Sequence, residues 1–426
     1  MLSVRARSPS IPVRRTQATN GGRADASADA EGGVGGGSLT TPGSGGVANA
    51  TADAVSSKSS SADATATGGA GGSSQRSGGA GGDATGMASS VALGSGTSTA
   101  TATATGGAGG LTQGSGGAGG DAAATSTSTA LGGGASLATS TAAGGVSGSA
   151  FSGSNGDGAA NANSSAATRN GAVAQAQSTA IGSSGQAKST AQTDYFDTTL
   201  VQSTAVAEAG STATTVAIVQ AGGSGQVFGN PAQTAYAFST AFPNKAYASS
   251  LIGGAGSVAG ALLKPGEVVF GTAILGANYA PDGGGETRTY SAISTFDFGY
   301  RGDVLLGLIG DQQNGFAGGL GLQSLEFYVL ADGVEVLDKT FTSLAVADPF
   351  FQDQVIDLGS ALGPNVDLTF GYNLVANGAG GFGFDLAVGD PVPEPSTWVM
   401  MGLGLAALGL AGHSGSKKRR LAITTT

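Results

Sequence analysis

The chain has 426 residues, of which 79 are glycine, and it carries a formal net charge of −10 at pH 7. It has no cysteine and a single histidine, His413, near its C-terminal end. These counts exclude disulfides, thiolate nucleophiles, His-ligated zinc and a Ser-His-Asp triad in the body of the protein. All 28 acidic residues lie between residues 24 and 416, against nine basic ones. Nucleic acid is therefore not an expected partner, because phosphate binding needs a basic face.

The first 23 residues form a basic N-terminal segment with five arginines and no acidic residue. A secretory signal peptide follows such a segment with an apolar stretch of about 7–15 residues. None is visible here, and the nearest candidate is the short stretch 10–13. We expect the true start of translation to lie upstream. Export by another route and a cytoplasmic chain are the alternatives.

Residues 24–190 form a low-complexity region of Gly, Ala, Ser and Thr with an internal repeat. The stretch from Thr65 recurs at Thr103, an offset of 38 residues, and alternating Thr and Ala runs such as 98–105 separate the glycine clusters. Such a period suits a solenoid, and the alternation suits thin strands. However, the region has few large apolar residues to offset the entropy cost of ordering. We therefore predict a disordered or loosely ordered spacer, with a solenoid as the alternative.

The glycine clusters 78–83 and 116–121 resemble the GGxGxD core of calcium-binding RTX repeats. The full motif needs a large apolar residue two positions after the Asp, where this chain has Thr85 and Ala123. The two copies are also 38 residues apart rather than in tandem. We interpret them as flexible glycine turns with solvated Asp side chains and predict no metal site and no cofactor. In composition alone, the clusters also resemble the glycine-rich blocks of mycobacterial PE-PGRS proteins.

Residues 191–221 form a strand-like lead-in to a region of different composition, and 199–221 alternate as two strands around Gly210. Of the 25 aromatic residues, 24 lie from Tyr195 onward, so a core of large side chains belongs to the second half. We predict that residues 222–390 form an antiparallel β-sandwich resembling a jelly roll, with one short helix within 246–263. The clearest hairpin turn is Asp332-Gly333, between two alternating runs. The predicted strands are 267–275, 289–298, 303–309, 325–330, 334–341, 354–358, 366–374 and 383–388.

Candidate catalytic groups in this second half are sparse, and we predict that the protein is not an enzyme. Several carboxylates could form the pairs that glycoside hydrolysis needs, but half of them fall at strand ends or turns, where a solvated carboxylate is ordinary. Three tyrosines, Tyr290, Tyr300 and Tyr328, could provide a sugar-stacking face, although strand alternation places some of them in the core. The carboxylates are Asp297, Asp303, Asp311, Glu326, Glu335, Asp338 and Asp353.

The C-terminal end, residues 391–420, has three parts in a fixed order. A proline-rich stretch comes first, and its prolines fix φ and remove amide donors, so that it stays extended. An uncharged apolar run, 398–411, follows and is just short of the length that spans a bilayer. A basic cluster ends the segment and predicts a cytoplasmic C-terminus. The proline-rich stretch is Val392, Pro393, Glu394, Pro395, Ser396 and Thr397; the anchor residues are Trp398, Leu403, Leu405, Leu408 and Leu410; the cluster is Lys417, Lys418, Arg419 and Arg420.

This order resembles the PEP-CTERM sorting signal of Gram-negative bacteria. The resemblance implies that a membrane enzyme, exosortase, recognises Pro393-Glu394-Pro395 and cuts the protein from one short transmembrane helix in the inner membrane. It also implies a bacterium that produces exopolysaccharide, which is a possible partner. We therefore predict an exported cell-surface or extracellular-matrix protein with a structural or adhesive role. The alternatives are a carbohydrate-binding adhesin and a glycan-active enzyme.

Overall fold

The structure is a computed structural model of the full chain, and most of residues 13–390 are described below. The N-terminal half is described almost throughout, whereas several connections in the C-terminal half and the whole of 391–426 are not. The described residues are 13–18, 22–150, 155–169, 173–183, 185–193, 201–208, 212–218, 234–241, 243, 245–264, 267–279, 287–298, 303–310, 321–359, 366–378 and 380–390.

The described residues form two sheets of eleven strands each, and in the first half of the chain successive strands alternate between the two sheets. The first fourteen strands are β1 (Val13–Ala18), β2 (Ala24–Glu31), β3 (Ala48–Ser56), β4 (Ser60–Thr67), β5 (Ala84–Ala92), β6 (Ser98–Thr105), β7 (Ala122–Ala130), β8 (Ser136–Ala143), β9 (Ala160–Thr168), β10 (Ala174–Ile181), β11 (Gly185–Thr193), β12 (Val201–Glu208), β13 (Thr212–Ile218) and β14 (Thr234–Ala241).

The second half of the chain adds eight strands and three short helices. They are α1 (Lys245–Ile252), α2 (Gly256–Leu262), β15 (Val269–Tyr279), β16 (Arg288–Phe298), β17 (Val304–Gly310), β18 (Leu322–Ala331), β19 (Val334–Phe341), α3 (Leu344–Phe351), β20 (Gln354–Gly359), β21 (Val366–Ala376) and β22 (Gly380–Gly389). The first sheet has the order β1-β3-β5-β7-β9-β11-β13-β16-β21-β18-β19, and the second has the order β2-β4-β6-β8-β10-β12-β14-β15-β22-β17-β20.

The N-terminal region is a parallel β-solenoid with one strand of each sheet per turn. Its strands pair parallel with the strand one turn away, so that Ala62, Ala100 and Ala138 stand in register. The 38-residue sequence repeat is therefore one turn of the solenoid. Inward and outward residues alternate along β6, and the inward ones are Ser or Ala. This is the period of two that a strand imposes on its side chains.

The described part of the solenoid core contains only small side chains. Ala100, Ala102 and Ala104 are fully buried. Among the described residues between 24 and 193, no buried one is larger than Thr168. Buried serines pair across the interior, as Ser60 and Ser90 do with their hydroxyl oxygens 2.7 Å apart. Small side chains let two sheets approach closely, and the paired hydroxyls meet the requirement that buried polar groups be hydrogen-bonded.

A glycine-rich hairpin connects a strand of the second sheet to the following strand of the first sheet, as between β4 and β5. In the hairpin 68–83, Gly79 and Gly82 donate backbone hydrogen bonds to Gly72 and Gly69, both at 2.8 Å. Its outgoing arm also donates to the next turn, from the amides of residues 68 and 71 to the carbonyls of residues 105 and 108. Bonds that recur every three residues are typical of a bundle of polyproline II-like chains.

Glycine is required in this bundle because its chains are too close for a side chain. A Cβ atom on Gly107 would lie 2.0 Å from the carbonyl oxygen of Gly69, and one on Gly81 would lie 1.8 Å from that of Gly107. Every third position points outward and tolerates a side chain, as at Ala70 and Ala108. The glycine clusters are thus ordered, close-packed structure.

The C-terminal strands extend the same two sheets but pair mainly antiparallel. β14, β15 and β22 are antiparallel neighbours in the second sheet, as are β16, β21 and β18 in the first. The core here is aromatic, with Phe351 and Phe384 4.5 Å apart between ring centroids. The sheets therefore enclose alanine and serine at one end and phenylalanine at the other.

Two fold predictions are wrong. The region 24–190 is an ordered parallel solenoid in its described residues and not a loose spacer. The region 222–390 is not a separate antiparallel sandwich or jelly roll, because its strands continue the solenoid's sheets through the pairs β12–β14 and β13–β16. The prediction that the protein is mainly β is confirmed.

The sequence also predicts a membrane-spanning helix near the C-terminal end. Among the residues that the structure describes, no helix has both the length and the apolar character needed to cross a bilayer. The predicted anchor, 398–411, lies outside those residues.

Candidate functional site: the C-terminal motif and the solenoid surface

The described fold ends directly before the proline-rich motif. β22 is the central neighbour of β15 and β17 in the second sheet. Asp390 is the last described residue. Its amide donates a hydrogen bond to the carbonyl of Val268 at 3.1 Å. The predicted sorting residues 392–397, the anchor residues within 398–410 and the basic cluster 417–420 all lie outside the described part of the chain.

The predicted carboxylates have separate surroundings. Asp353 accepts hydrogen bonds from the amides of Ser257 (2.8 Å) and Val258 (3.0 Å), so it holds the first turn of α2. These amide donors lower the pKa of Asp353. Glu326 accepts a hydrogen bond from Asn373 at 2.8 Å. Both carboxylates therefore have a structural role.

The other predicted carboxylates are not gathered at one site by any contact in the described residues. Asp303, Glu335 and Asp338 are exposed, Asp297 lies on β16 opposite Asp367, and Asp311 falls outside the described residues. Across the described ranges, no three His, Cys, Asp or Glu side chains are grouped so that they could hold a metal ion.

The two predicted tyrosines that the structure describes do not form an exposed strip. Tyr290 is buried in the core, Tyr328 is half-buried on β18, and Tyr300 lies outside the described residues. Burial, with a smaller contribution from Glu326, raises the pKa of Tyr328.

A buried polar cluster lies where α1 packs on the second sheet. Asp385 on β22 is only 8% exposed, and Thr272 on β15 is fully buried. Burial, with a further contribution from the charge of Asp385, raises the pKa of Tyr247 to about 12. The tyrosine is therefore neutral at any physiological pH.

The two RTX-like aspartates join successive turns of the solenoid. Oδ1 of Asp83 accepts a hydrogen bond from the amide of Asp121 at 2.9 Å, and Oδ1 of Asp121 accepts one from the amide of Ala159 at 2.8 Å. Both side chains are exposed, as predicted, but their turns are fixed rather than flexible. Each carboxylate ties its own turn to the next.

A notch opens beside these aspartates on the outer face of the first sheet. Its volume is about 430 Å³, and its floor is formed by alanines at the starts of β7 and β9. Sequence reasoning missed it. The signal was present as two breaks in the 38-residue repeat, since Ala123 stands where the previous turn has Thr85, and Ala159 where it has Asp121. Both breaks place a smaller side chain at a position that faces outward from the solenoid.

Comparison with known proteins identifies the C-terminal end. Residues 391–419 match the family profile described as the PEP-CTERM protein-sorting motif, which confirms the resemblance seen in the sequence. The motif implies a secreted chain that exosortase processes and sorts to the cell surface or extracellular space. The match covers the tail and not the two-sheet body.

The other comparisons do not assign the two-sheet body to a family. No curated protein matches the chain. One solved structure, described as a study of the promiscuous specificity of carbohydrate-binding modules from the β-sandwich superfamily, is 12% identical with a TM-score of 0.15. The similarity covers 45% of this chain and 54% of that one, so the chain spans about half the length of that structure.

Proposed function

We propose that the protein is a structural component of the cell surface or extracellular matrix, and that exosortase releases it by cutting at Pro393-Glu394-Pro395. The observation that carries this proposal is the sorting motif at residues 391–419, directly after the last strand. A cut within the motif leaves every described strand in the released product. Processing and folding are therefore compatible.

The two continuous sheets support a structural role. Eleven strands per sheet at a spacing of about 4.8 Å extend over roughly 50 Å. Because each strand is hydrogen-bonded to its neighbours and the glycine hairpins add a second set of bonds between turns, this length is stiff. Such a body suits a spacer or matrix element, and an adhesive role adds a surface contact to it.

A non-enzymatic role is part of the proposal. Asp353 holds the start of α2, and Glu326 bonds to Asn373, so two of the candidate acids already have structural partners. General acid–base catalysis needs groups aimed at a shared reacting centre. The separate placement of the described carboxylates among the candidate acids of the second half favours a structural function.

The test follows the C-terminal tail through sorting. A tag is placed after Thr426, and an antibody to the body detects the rest of the chain in the native bacterium. We expect the wild-type body at the surface without the tag, and the triple variant P393A/E394A/P395A to keep the tag and stay cell-associated. The matched control is P391A, which changes the proline just outside the Pro-Glu-Pro and should behave as wild type. Equal tag retention in wild type and triple variant would contradict the proposal.

A further inference from the structure

We propose that the notch over Ala123 and Ala159 binds one sugar unit of an extracellular polysaccharide, neutral or amino-substituted but not anionic. This inference rests on the proposed function, since it names the contact by which a surface protein of this kind would adhere. The notch has a volume of about 430 Å³, within the usual size of ligand pockets. Its lining comes from the first residues of strands and from the residues directly before them, Asp83, Asp121 and Ala159. Hydrogen bonds between turns hold the two aspartates in place.

The acceptors of the notch are fixed before any ligand arrives. Asp83 and Asp121 line it, and Oδ1 of each is held by an amide of the next turn at 2.9 and 2.8 Å. The remaining oxygen of each carboxylate, Oδ2, is then the one offered to a ligand. Preorganised acceptors lose little entropy on binding.

The donors come from the two following turns. Asn161 on β9 and Gln186 on β11 are register partners, and both line the notch. Oδ1 of Asn161 accepts a hydrogen bond from the side-chain amide of Asn163 at 3.2 Å. The amide hydrogens of Asn161 therefore point away from Asn163. Carboxylate acceptors and carboxamide donors around one space match a ligand whose hydroxyls both donate and accept.

Two other ligand classes fit less well. No lysine or arginine is among the described residues that line the notch, and its two carboxylates repel phosphate and uronic acids. A metal ion is also disfavoured, because within the described residues no cluster of three acidic or histidine ligands occurs. None of the described residues that line the notch is aromatic, so each contact is weak. Binding to a polymer therefore gains from many protein chains acting together.

The experiment is polysaccharide binding by the full secreted chain on an array of neutral, amino-sugar and uronic-acid polymers. A123Q fills the notch with a side chain of the type already present at Gln186 in the same outward row, and it should reduce binding by at least about tenfold. D121N keeps an oxygen for the amide of Ala159 but removes the charge, so it should weaken amino-sugar polymers more than neutral ones. T127Q places the same glutamine side chain on the same strand outside the notch, and it should leave binding unchanged.

The outcomes separate this inference from the proposed function. Circular dichroism and surface arrival are recorded for each variant, so that loss of binding is not confused with loss of folding or sorting. Normal sorting with no sugar binding by wild type, binding that A123Q leaves intact, or a preference for uronic acids would each overturn the notch assignment. A failure of sorting itself would instead overturn the proposed function.

Discussion

A single methyl group added at Gly107 should destabilise the glycine bundle. The new Cβ atom would lie 2.0 Å from the carbonyl oxygen and 2.6 Å from the carbonyl carbon of Gly69, so the two arms must separate. Two backbone hydrogen bonds of 2.8 Å join these arms, from Gly68 to Thr105 and from Gly71 to Ala108. Their loss costs about 1 kcal/mol each, and the buried groups left unpaired add about 1–3 kcal/mol.

The expected net effect of G107A is a loss of about 2–4 kcal/mol in the free energy of unfolding. Replacing glycine by alanine also restricts the unfolded chain, which offsets only about 0.4–1 kcal/mol. The assay is urea unfolding of the full chain followed by far-UV circular dichroism. The matched control is A108V, because the corresponding positions of two other turns, Val34 and Val146, carry that side chain. The control should change stability by less than about 0.5 kcal/mol.

The result that would refute this reasoning is a G107A chain that unfolds at the same urea concentration as wild type and A108V. It would mean that the hairpin arms are not in contact. The glycine clusters would then be loose, as the composition of the region suggests.

Three further predictions concern the core and its ionisable groups. A102L places three extra carbons in the alanine core and should destabilise by at least about 1–3 kcal/mol, whereas T101L on the outward face of the same strand should be nearly neutral; thermal unfolding compares them. S90A removes the partner of two buried serine hydroxyls and should cost about 1–3 kcal/mol in urea unfolding; no change would indicate that the interior is wet. Because burial and Asp385 raise the pKa of Tyr247 to about 12, the contribution of Tyr247 to stability is complete below pH 10 and should be lost as pH rises towards 12. The variant Y247F should flatten this part of the profile of stability against pH. Ionisation of Tyr247 near pH 10, followed by ultraviolet absorbance, would contradict this prediction.

The strands of the second half were readable from the sequence because their residues carry strong local signals. The run predicted at 334–341 is β19 with the same bounds, and both residues of the Asp332-Gly333 turn have the positive φ that its type requires. The two strands predicted around Gly210 are present as β12 and β13. They do not pair with each other, however, because one belongs to each sheet.

The solenoid was not predicted because its stability does not reside in large side chains. Ala102 and Ser98 bury little apolar area each, so composition indicates a segment unable to fold. What stabilises it is repetition, since every turn presents the same residues in register to the next, as Thr65, Thr103 and Thr141 do. Only the 38-residue period pointed to this outcome, and period alone did not decide between order and disorder.

The sorting motif and the notch differ in how visible they are in the sequence. The motif is contiguous, and the order of Pro393-Glu394-Pro395, apolar run and basic cluster identifies it without a fold. The notch is assembled from residues on four successive turns of one sheet. Asp83 and Gln186 are more than a hundred positions apart in the sequence, and their proximity depends on the strand pairing.

The central claim is that the sorting motif is cut and that the whole two-sheet body remains. The most direct measurement is the intact mass of the protein recovered from the cell surface, with its C-terminal peptide sequenced by mass spectrometry. The account predicts a C-terminus within residues 392–396, so that β22 and Asp390 are present and Trp398 and the Lys417–Arg420 cluster are absent. A surface protein that retains Arg420, or one that ends before Gly389, would contradict it.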